Sequence, residues 1–344
     1  MDGRIKMGLK HFLDKYDTVI FDMDGVITSE QNYWNCAALT VWEYMHRNRG
    51  IDIDAAQCME QLSEIRKKVF CDDKIITELK ARGVNSNWDL GYVTVCIAWI
   101  CGAEDDFSKV LEYVKTLPPN IIDEYDNIAR KCAEKTGYDF DWLRRNGLMW
   151  QTMAIIFQEW FLGDDLYFKV YNALPQNSGK SGLLFKEEPI VPKKKLIELM
   201  RLLGEEKRIG TGTGRPYSEM LRPLSDWGIK QYFADDALIN YNHVAAAEEK
   251  FKPENLTKPH PYMFLKSMLG ENFPDERIVS GDYDKAKTKT TLIVGDAGAD
   301  MLAAQAMGAD FCAVLTGING QAARPYFEEH DATYIFDSVI DFLE

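Results

Sequence analysis

The sequence lacks three features that mark specialised classes of protein. Its seven cysteines are scattered, and no pair has the Cys-x-x-Cys spacing of a structural zinc site. No uninterrupted apolar run reaches the roughly 18–20 residues that a membrane-spanning helix needs. The N-terminal stretch MDGRIKMGLKHFLDKYD has no signal-peptide apolar core. We therefore expect reduced, buried thiols, no zinc, no membrane partner and a cytoplasmic location.

Basic charge is also scarce. The chain has 40 Lys and Arg against 54 Asp and Glu, which gives a formal net charge of −14. Because proteins that bind nucleic acid usually present a basic surface to the phosphate backbone, this balance argues against a nucleic-acid partner. The 344 residues are 46% hydrophobic and 27% charged, which is typical of a globular chain long enough for two domains.

The chain contains two regions with different predicted secondary structure. Residues 30–172 consist almost wholly of helical patterns, whereas strand and helix patterns alternate from about residue 183. Alternation of this kind predicts a parallel α/β sheet. The apolar run TVIF at 18–21 resembles the later predicted strands TLIVGD, FCAVLTG and TYIFD in its residue types. We therefore expect an α/β core of residues 1–29 and 183–344, interrupted by a helical segment at 30–182. The last part of that segment, LPQNSGKSG, is expected to be the return linker.

Polar residues occur at or near the carboxyl ends of predicted strands at four places. These are Asp22 and Asp24 after the first strand, Thr213 in GTGTGRP, Lys258 in LTKPHPYMF, and Asp296 with Asp300 in LIVGDAGAD. In open α/β sheets, ligands bind beyond the carboxyl ends of the strands. Each place taken alone is explained as well by a turn or a helix cap. All four in this order are much less expected by chance.

The four stretches resemble the motifs of the haloacid dehalogenase superfamily of aspartate-nucleophile hydrolases. FDMDGVIT, TGRP, KPHP and GDAGADMLAAQAMGAD occur in the order of that superfamily's motifs. The helical segment resembles the cap that such proteins carry between the first and second motifs, although it is longer than usual. The resemblance implies a Rossmann-like parallel sheet with an inserted all-α cap. The dehalogenating branch lacks the second acid, so Asp24 favours phosphoryl transfer over cleavage of a carbon–halogen bond.

The two acids of the first motif suit a two-step displacement at phosphorus. A carboxylate can attack phosphorus and form an aspartyl-phosphate, which splits one difficult displacement into two easier ones. We give that role to Asp22. Asp24 would protonate the leaving oxygen and later deprotonate the attacking water.

Crowded carboxylates and a phosphate dianion repel one another, so we expect a divalent cation. Mg²⁺ prefers oxygen ligands and keeps several waters. The resemblance implies that its ligands are the side chain of Asp22, the backbone carbonyl of Asp24 and the side chain of Asp296. Asp300 would support the site from the first turn of the following helix.

The phosphoryl oxygens need donors and positive charge. The candidates are the Thr213 hydroxyl, the Lys258 ammonium group and backbone N–H groups near Met23, Asp24 and Gly214. Thr211 is the alternative to Thr213, which we prefer because it adjoins the Gly-Arg turn. Arg215 is a candidate substrate contact, and an Arg in solvent or in an ion pair is an equally good interpretation.

Substrate choice is expected to lie in the cap. The most polar, turn-rich stretch between cap helices is RGVNSNWDL, where Asn85, Asn87 and Trp88 are candidate contacts for a polar leaving group. The alternative is a capped helix start with Trp88 packed into the core.

The whole pattern predicts a Mg²⁺-dependent phosphatase of a small phosphorylated metabolite. A phosphomutase acting on a sugar phosphate is the alternative, and a non-catalytic regulatory relative is a third, less favoured one.

Overall fold

The chain folds into two compact units. A computed structural model describes residues 8–84, 86–103, 105–252 and 255–344. The α/β unit comprises residues 1–29 and 187–344, and the helical unit comprises residues 30–186. The expected return at residue 183 differs from this boundary because Leu183–Lys186 form a short 3₁₀ helix within the helical unit.

A parallel sheet forms the centre of the α/β unit. Its strands in the described residues are β1 (Thr18–Phe21), β2 (Arg208–Gly212), β3 (Leu238–Ile239), β4 (Thr291–Gly295), β5 (Asp310–Val314) and β6 (Tyr334–Phe336). Their order is β3-β2-β1-β4-β5-β6, and every neighbouring pair is parallel. The predicted Rossmann-like α/β fold is confirmed. β3 was not predicted, because two residues are too few to produce a hydrophobic pattern.

The register places three strand ends side by side. Phe21 at the end of β1 pairs with Thr211 of β2 and with Val294 of β4. Because these strands are parallel and end nearly level, the residues that follow β1, β2 and β4 emerge at one edge of the sheet.

Alternating side chains of the strands build a hydrophobic core on each face of the sheet. Val19 and Phe21 of β1 belong to one buried cluster, and Ile20 belongs to the other. β4 repeats the pattern, with Leu292 in the first cluster and Ile293 in the second. A central strand that is buried on both faces needs apolar residues at every position, which explains the continuous run TVIF.

The helical unit contains nine α-helices in its described residues. They are α1 (Gln31–Asn48), α2 (Ala55–Glu60), α3 (Leu62–Phe70), α4 (Lys74–Ala81), α5 (Asn87–Cys101), α6 (Ser108–Lys115), α7 (Tyr125–Thr136), α8 (Phe140–Leu143) and α9 (Leu148–Tyr171). The all-round apolar sequence of α5 is buried from Asp89 to Ala98. The stretch DAAQCMEQLSEIRKKVF, whose pattern suggests one helix, forms α2 and α3 with a break at Gln61.

The return linker is bound to α9. α9 is interrupted at Gly163, where φ is 73°. A Cβ atom there would lie 2.7 Å from the backbone nitrogen of Gly182, so the linker approaches the helix too closely for any other residue. The carboxylate of Asp164 accepts hydrogen bonds from the backbone N–H groups of Gly179 (2.6 Å) and Lys180 (3.1 Å).

Lys180 anchors the linker from within the helical unit. Its ammonium group lies 2.9 Å from Oε2 of Glu43 in α1 and 2.5 Å from Oε2 of Glu159 in α9. All three side chains are fully buried. Glu43 also pairs with the partly exposed Arg47 (3.4 Å), so Lys180 supplies the fully buried cation that the two carboxylates share.

Seven further helices accompany the sheet in the described part of the α/β unit. They are α10 (Lys193–Glu206), α11 (Tyr217–Asp226), α12 (Tyr241–Lys250), α13 (Tyr262–Leu269), α14 (Asp275–Val279), α15 (Gly298–Met307) and α16 (Arg324–Glu329). Among the described residues, none of the helices of either unit combines the length and the apolar character needed to cross a membrane.

Candidate active site

The first, second and fourth motifs meet at the carboxyl edge of the sheet. Asp22, Thr213 and Asp296 each come within one residue of the end of β1, β2 and β4 respectively. The backbone N–H of Asp22 donates to the carbonyl of Val294 (2.9 Å), which ties the start of the first motif to β4. The sheet therefore fixes the backbone from which these side chains project.

Three carboxylates form a cluster at this edge. One oxygen from each of Asp22, Asp296 and Asp300 lies within 4.8 Å of the other two. Asp300 is in the first turn of α15, and its side chain is 1% exposed. Carboxylate oxygens are the ligands that Mg²⁺ prefers, so this donor set fits a hard divalent cation. The ligand role of the Asp24 carbonyl stays a prediction.

Lys258 joins the nucleophile candidate to the cluster. Its ammonium nitrogen lies 2.9 Å from Oδ1 of Asp22 and 2.7 Å from Oδ1 of Asp300. Burial alone would lower the pKa of Lys258, but the negative charges of Asp22 and Asp300 outweigh burial and raise this pKa above its usual value. Lys258 is therefore a cation here and can attract an anion.

Opposing effects act on Asp22. Burial and the nearby carboxylates of Asp300 and Asp24 raise the pKa of Asp22, although Lys258 opposes the rise. A divalent cation at the cluster would also oppose the rise, because positive charge favours the ionised carboxylate. An ionised Asp22 is the form that the predicted nucleophilic role requires.

The two threonines of the second motif have different surroundings. Thr211 lies within β2, and its hydroxyl donates to the carbonyl of Ile239 (3.1 Å). Thr213 follows the strand, and its hydroxyl oxygen accepts a hydrogen bond from the backbone N–H of Arg215 (3.2 Å). The Thr211 hydroxyl is engaged inside the sheet, which favours Thr213 as the residue for an anion.

Arg215 is buried in ion pairs. Its guanidinium group contacts the carboxylates of Asp24 (2.6 Å) and Glu187 (2.7 Å), and its side chain is 1% exposed. Arg215 belongs to the α/β unit and not to the helical unit. The structure thus has the ion pair, and a contact of Arg215 with substrate stays a prediction.

Comparison with known families agrees with the motif order. A family model described as HAD-hyrolase-like matches residues 255–342, which contain Lys258, Asp296 and Asp300. This part of the α/β unit is therefore similar to the HAD-like hydrolases that the model describes.

Solved structures extend the likeness over most of the chain. An X-ray structure from the Northeast Structural Genomics Consortium, target ZR25, has a TM-score of 0.79 and 25% identity, covering 94% of this chain and 97% of its own. Phosphatase Tt82 from Thermococcus thioreducens has a TM-score of 0.50 and 18% identity, covering 86% and 90%. The likeness to Tt82 is one of fold. None of the curated proteins compared with this chain matches it.

The loop after β5 also contributes to the candidate site, which the sequence analysis did not predict. A Cβ atom at Gly317 would lie 1.9 Å from Oδ2 of Asp296, and one at Gly25 would lie 2.3 Å from the same oxygen. The Thr316 hydroxyl donates to the carbonyl of Gly25 (2.5 Å). These glycines leave space for the Asp296 carboxylate. The available signal was Thr-Gly directly after the strand run FCAVL, at the same sheet edge as the four motifs.

The cap candidates lie in the helical unit, around the start of α5. Asn85 is outside the described residues. Asn87 is the first residue of α5, and its Oδ1 atom is buried with no hydrogen-bond partner in the described part of the chain. Trp88 packs edge-on against Trp150 and Phe157, with ring centroids 6.0 and 6.5 Å apart. This packing agrees with the alternative of a helix start whose Trp88 is part of an aromatic cluster.

Proposed function

We propose that this protein is a Mg²⁺-dependent phosphatase that hydrolyses a small phosphorylated metabolite through an aspartyl-phosphate on Asp22. The observation that carries the proposal is the contact of Lys258 with Asp22 beside the carboxylate cluster. It brings a nucleophile, a cation for the phosphoryl group and oxygen ligands for a metal to one edge of the sheet.

In the first step, a carboxylate oxygen of Asp22 forms a bond to phosphorus while the bond between phosphorus and the leaving oxygen breaks. Asp24 gives a proton to that oxygen, so the product leaves as an alcohol. Without this proton an alkoxide would leave, which is far more difficult. The second acid of the motif therefore supports a phosphate ester as the substrate.

In the second step, a water oxygen attacks the phosphorus of the aspartyl-phosphate. Asp24, now ionised, takes a proton from that water, and the bond between phosphorus and the Asp22 oxygen breaks. Inorganic phosphate is released, and both aspartates return to their starting states.

Charge on the phosphoryl group is balanced from two sides. Lys258, the Thr213 hydroxyl and the backbone N–H of Gly214 would bind its oxygens. Mg²⁺ held by Asp22, Asp296 and the carbonyl of Asp24, with Asp300 in support, would neutralise the negative charge of the phosphate and the carboxylates.

The test is release of inorganic phosphate from a panel of phosphate monoesters, assayed with Mg²⁺ for the wild type and Asp22→Asn. Asp282→Asn is the matched control, because Asp282 is an exposed acid of the same unit that pairs with Arg277. We expect turnover by the wild type and Asp282→Asn and none by Asp22→Asn. An isomerised sugar phosphate in place of free phosphate would show a mutase, and no reaction with any ester would contradict the proposal.

A further inference from the structure

The candidate acid–base residue Asp24 is held by a second layer of buried charge. Nη2 of Arg215 lies 2.6 Å from Oδ1 of Asp24, and Nε lies 3.2 Å from Oδ1 and 3.1 Å from Oδ2. The Thr28 hydroxyl donates to Oδ1 as well, at 3.2 Å. Oδ1 thus receives three of these four contacts, which makes it the anchored oxygen.

Glu187 fixes Arg215 in turn. Its two oxygens accept from Nη1 (2.7 Å) and Nη2 (2.8 Å) in a bidentate pair, and Nη1 also donates to the backbone carbonyl of Glu219 (3.2 Å). The side chains of Arg215 and Glu187 are 1% and 2% exposed. A planar guanidinium that is bound on two edges and shielded from water has little freedom to rotate.

We infer that Arg215 is a positioning residue for proton transfer by Asp24, and that Glu187 is the anchor that holds Arg215 in place. The inference rests on the proposed function. A transferable proton must lie within hydrogen-bond reach of the leaving oxygen, and a misplacement of about 1 Å can cost about 10²-fold in rate. With Oδ1 anchored, Oδ2 is the oxygen that exchanges the proton.

Stability alone is a weak reason for this arrangement. Buried ion pairs often contribute no more than well-packed apolar residues of similar volume, because removing two charges from water is costly. A purely structural cluster would lower stability when altered, and it would affect all substrates equally. A positioning cluster affects most the reactions that need the proton from Asp24.

The experiment compares Arg215→Lys and Glu187→Gln with the wild type in single-turnover phosphorylation of an alkyl phosphate and an aryl phosphate. Lys at position 215 keeps the positive charge but cannot form the bidentate pair of a guanidinium group. Gln at position 187 keeps the shape of Glu187 but not its negative charge. We expect the single-turnover rate constant for the alkyl phosphate to fall about 10-fold to 100-fold, with little change in the substrate concentration that gives the half-maximal rate. The fall should be smaller for the aryl phosphate, whose leaving group does not need protonation. In an Asp24→Asn background, neither change should reduce the rate further.

Asp275→Asn is the matched control, since it disrupts a partly buried ion pair with Lys266 (2.6 Å) in the same unit. It should lower the melting temperature and leave the ratio of alkyl to aryl rates unchanged. Equal losses for both esters in folded Arg215→Lys or Glu187→Gln, or full additivity with Asp24→Asn, would overturn the inference. Failure of the proposed function would look different, because the wild type would then be inactive or Asp22→Asn would be active.

Discussion

At the scale of single residues, the site gives each of two nearby aspartates its own cation. Asp22 contacts Lys258, and Asp24 contacts Arg215. The sequence predicted the two acids and Lys258 from the motifs that contain them, although Lys258 lies between α12 and α13 and does not follow a strand. The sequence could not predict the partners of Arg215. Asp24 and Glu187 are distant from Arg215 in sequence, and the three residues meet only in the folded protein.

The role of Asp24 leads to a prediction about leaving groups. Asp24→Asn should reduce phosphate release from an alkyl phosphate about 10²–10⁴-fold, which is the usual contribution of a general acid or base. The loss in phosphoenzyme formation should be much smaller for an aryl phosphate. Single-turnover measurements on both esters check this, and an equal loss for the two would exclude Asp24 as the acid.

At the scale of secondary-structure elements, the level ends of β1, β2 and β4 create the site. Their apolar, β-branched runs made β1 and β4 predictable, and the pairing between them follows from the parallel topology. The loop after β5 was missed as part of the site because its Thr-Gly pair is ordinary turn chemistry. This loop contributes to the site because Gly317 leaves space beside the Asp296 carboxylate. That proximity arises only in the tertiary structure.

Asp275 links three helices of the α/β unit. Its carboxylate accepts from Lys250 of α12 (3.1 Å) and from Tyr262 (2.8 Å) and Lys266 (2.6 Å) of α13. Burial alone would raise the pKa of Asp275, but the bonds from Lys266, Tyr262 and Lys250 outweigh burial and lower this pKa. Asp275→Asn should reduce the free energy of unfolding at pH 7 by about 2 kcal/mol, because the lost bonds involve charged groups.

The effect of Asp275 should depend on pH in one direction. Its lowered pKa in the folded state means that its stabilisation is fully present above the ordinary carboxyl pKa of about 3.9 and is lost as pH falls through the folded value. We therefore expect the difference in the free energy of unfolding between wild type and Asp275→Asn to become smaller at acid pH. Denaturant unfolding between pH 7 and pH 3 measures this difference. A gap that stays constant would show that the charge of Asp275 is unimportant.

In the helical unit, Lys180 should matter more than its place in a linker suggests. Lys180→Met removes the buried cation that Glu43 and Glu159 share, although Arg47 still pairs with Glu43 (3.4 Å), and loss of one partner of a buried ion pair typically costs about 3–5 kcal/mol. The matched control is Lys169→Met on the exposed side of α9, expected to change stability by no more than about 0.5 kcal/mol. Thermal and denaturant unfolding compare the two, and similar effects would contradict the assigned role of the buried cluster.

At the scale of the whole molecule, the α/β unit was easier to predict than the helical unit. Its strands and motifs have local signals, whereas the helical patterns of residues 30–172 do not specify which helix faces meet. The cap candidates illustrate this limit, since the aromatic cluster around Trp88 joins α5 to α9 and depends on packing between distant segments.

The carboxylate cluster predicts coupling between metal and stability. Mg²⁺ that binds the folded chain should stabilise it by about 2.7 kcal/mol at 100 times its dissociation constant. Asp296→Asn should raise the Mg²⁺ concentration needed for half-maximal activity and reduce the Mg²⁺-dependent rise in melting temperature. Asp282→Asn is again the control. Full activity of the wild type in excess chelator would exclude the metal.

The measurement that tests the central claim most directly is capture of the phosphoryl group on Asp22. Asp24→Asn is mixed with Mg²⁺ and an aryl phosphate, quenched in acid and digested, and the peptides are analysed by mass spectrometry. Loss of the base at position 24 slows hydrolysis, so the intermediate should accumulate. The account predicts one phosphoryl group on the peptide that contains Asp22, at Asp22 itself, and none in Asp22→Asn/Asp24→Asn. A phosphoryl group on another residue, or continued turnover by Asp22→Asn, would contradict it.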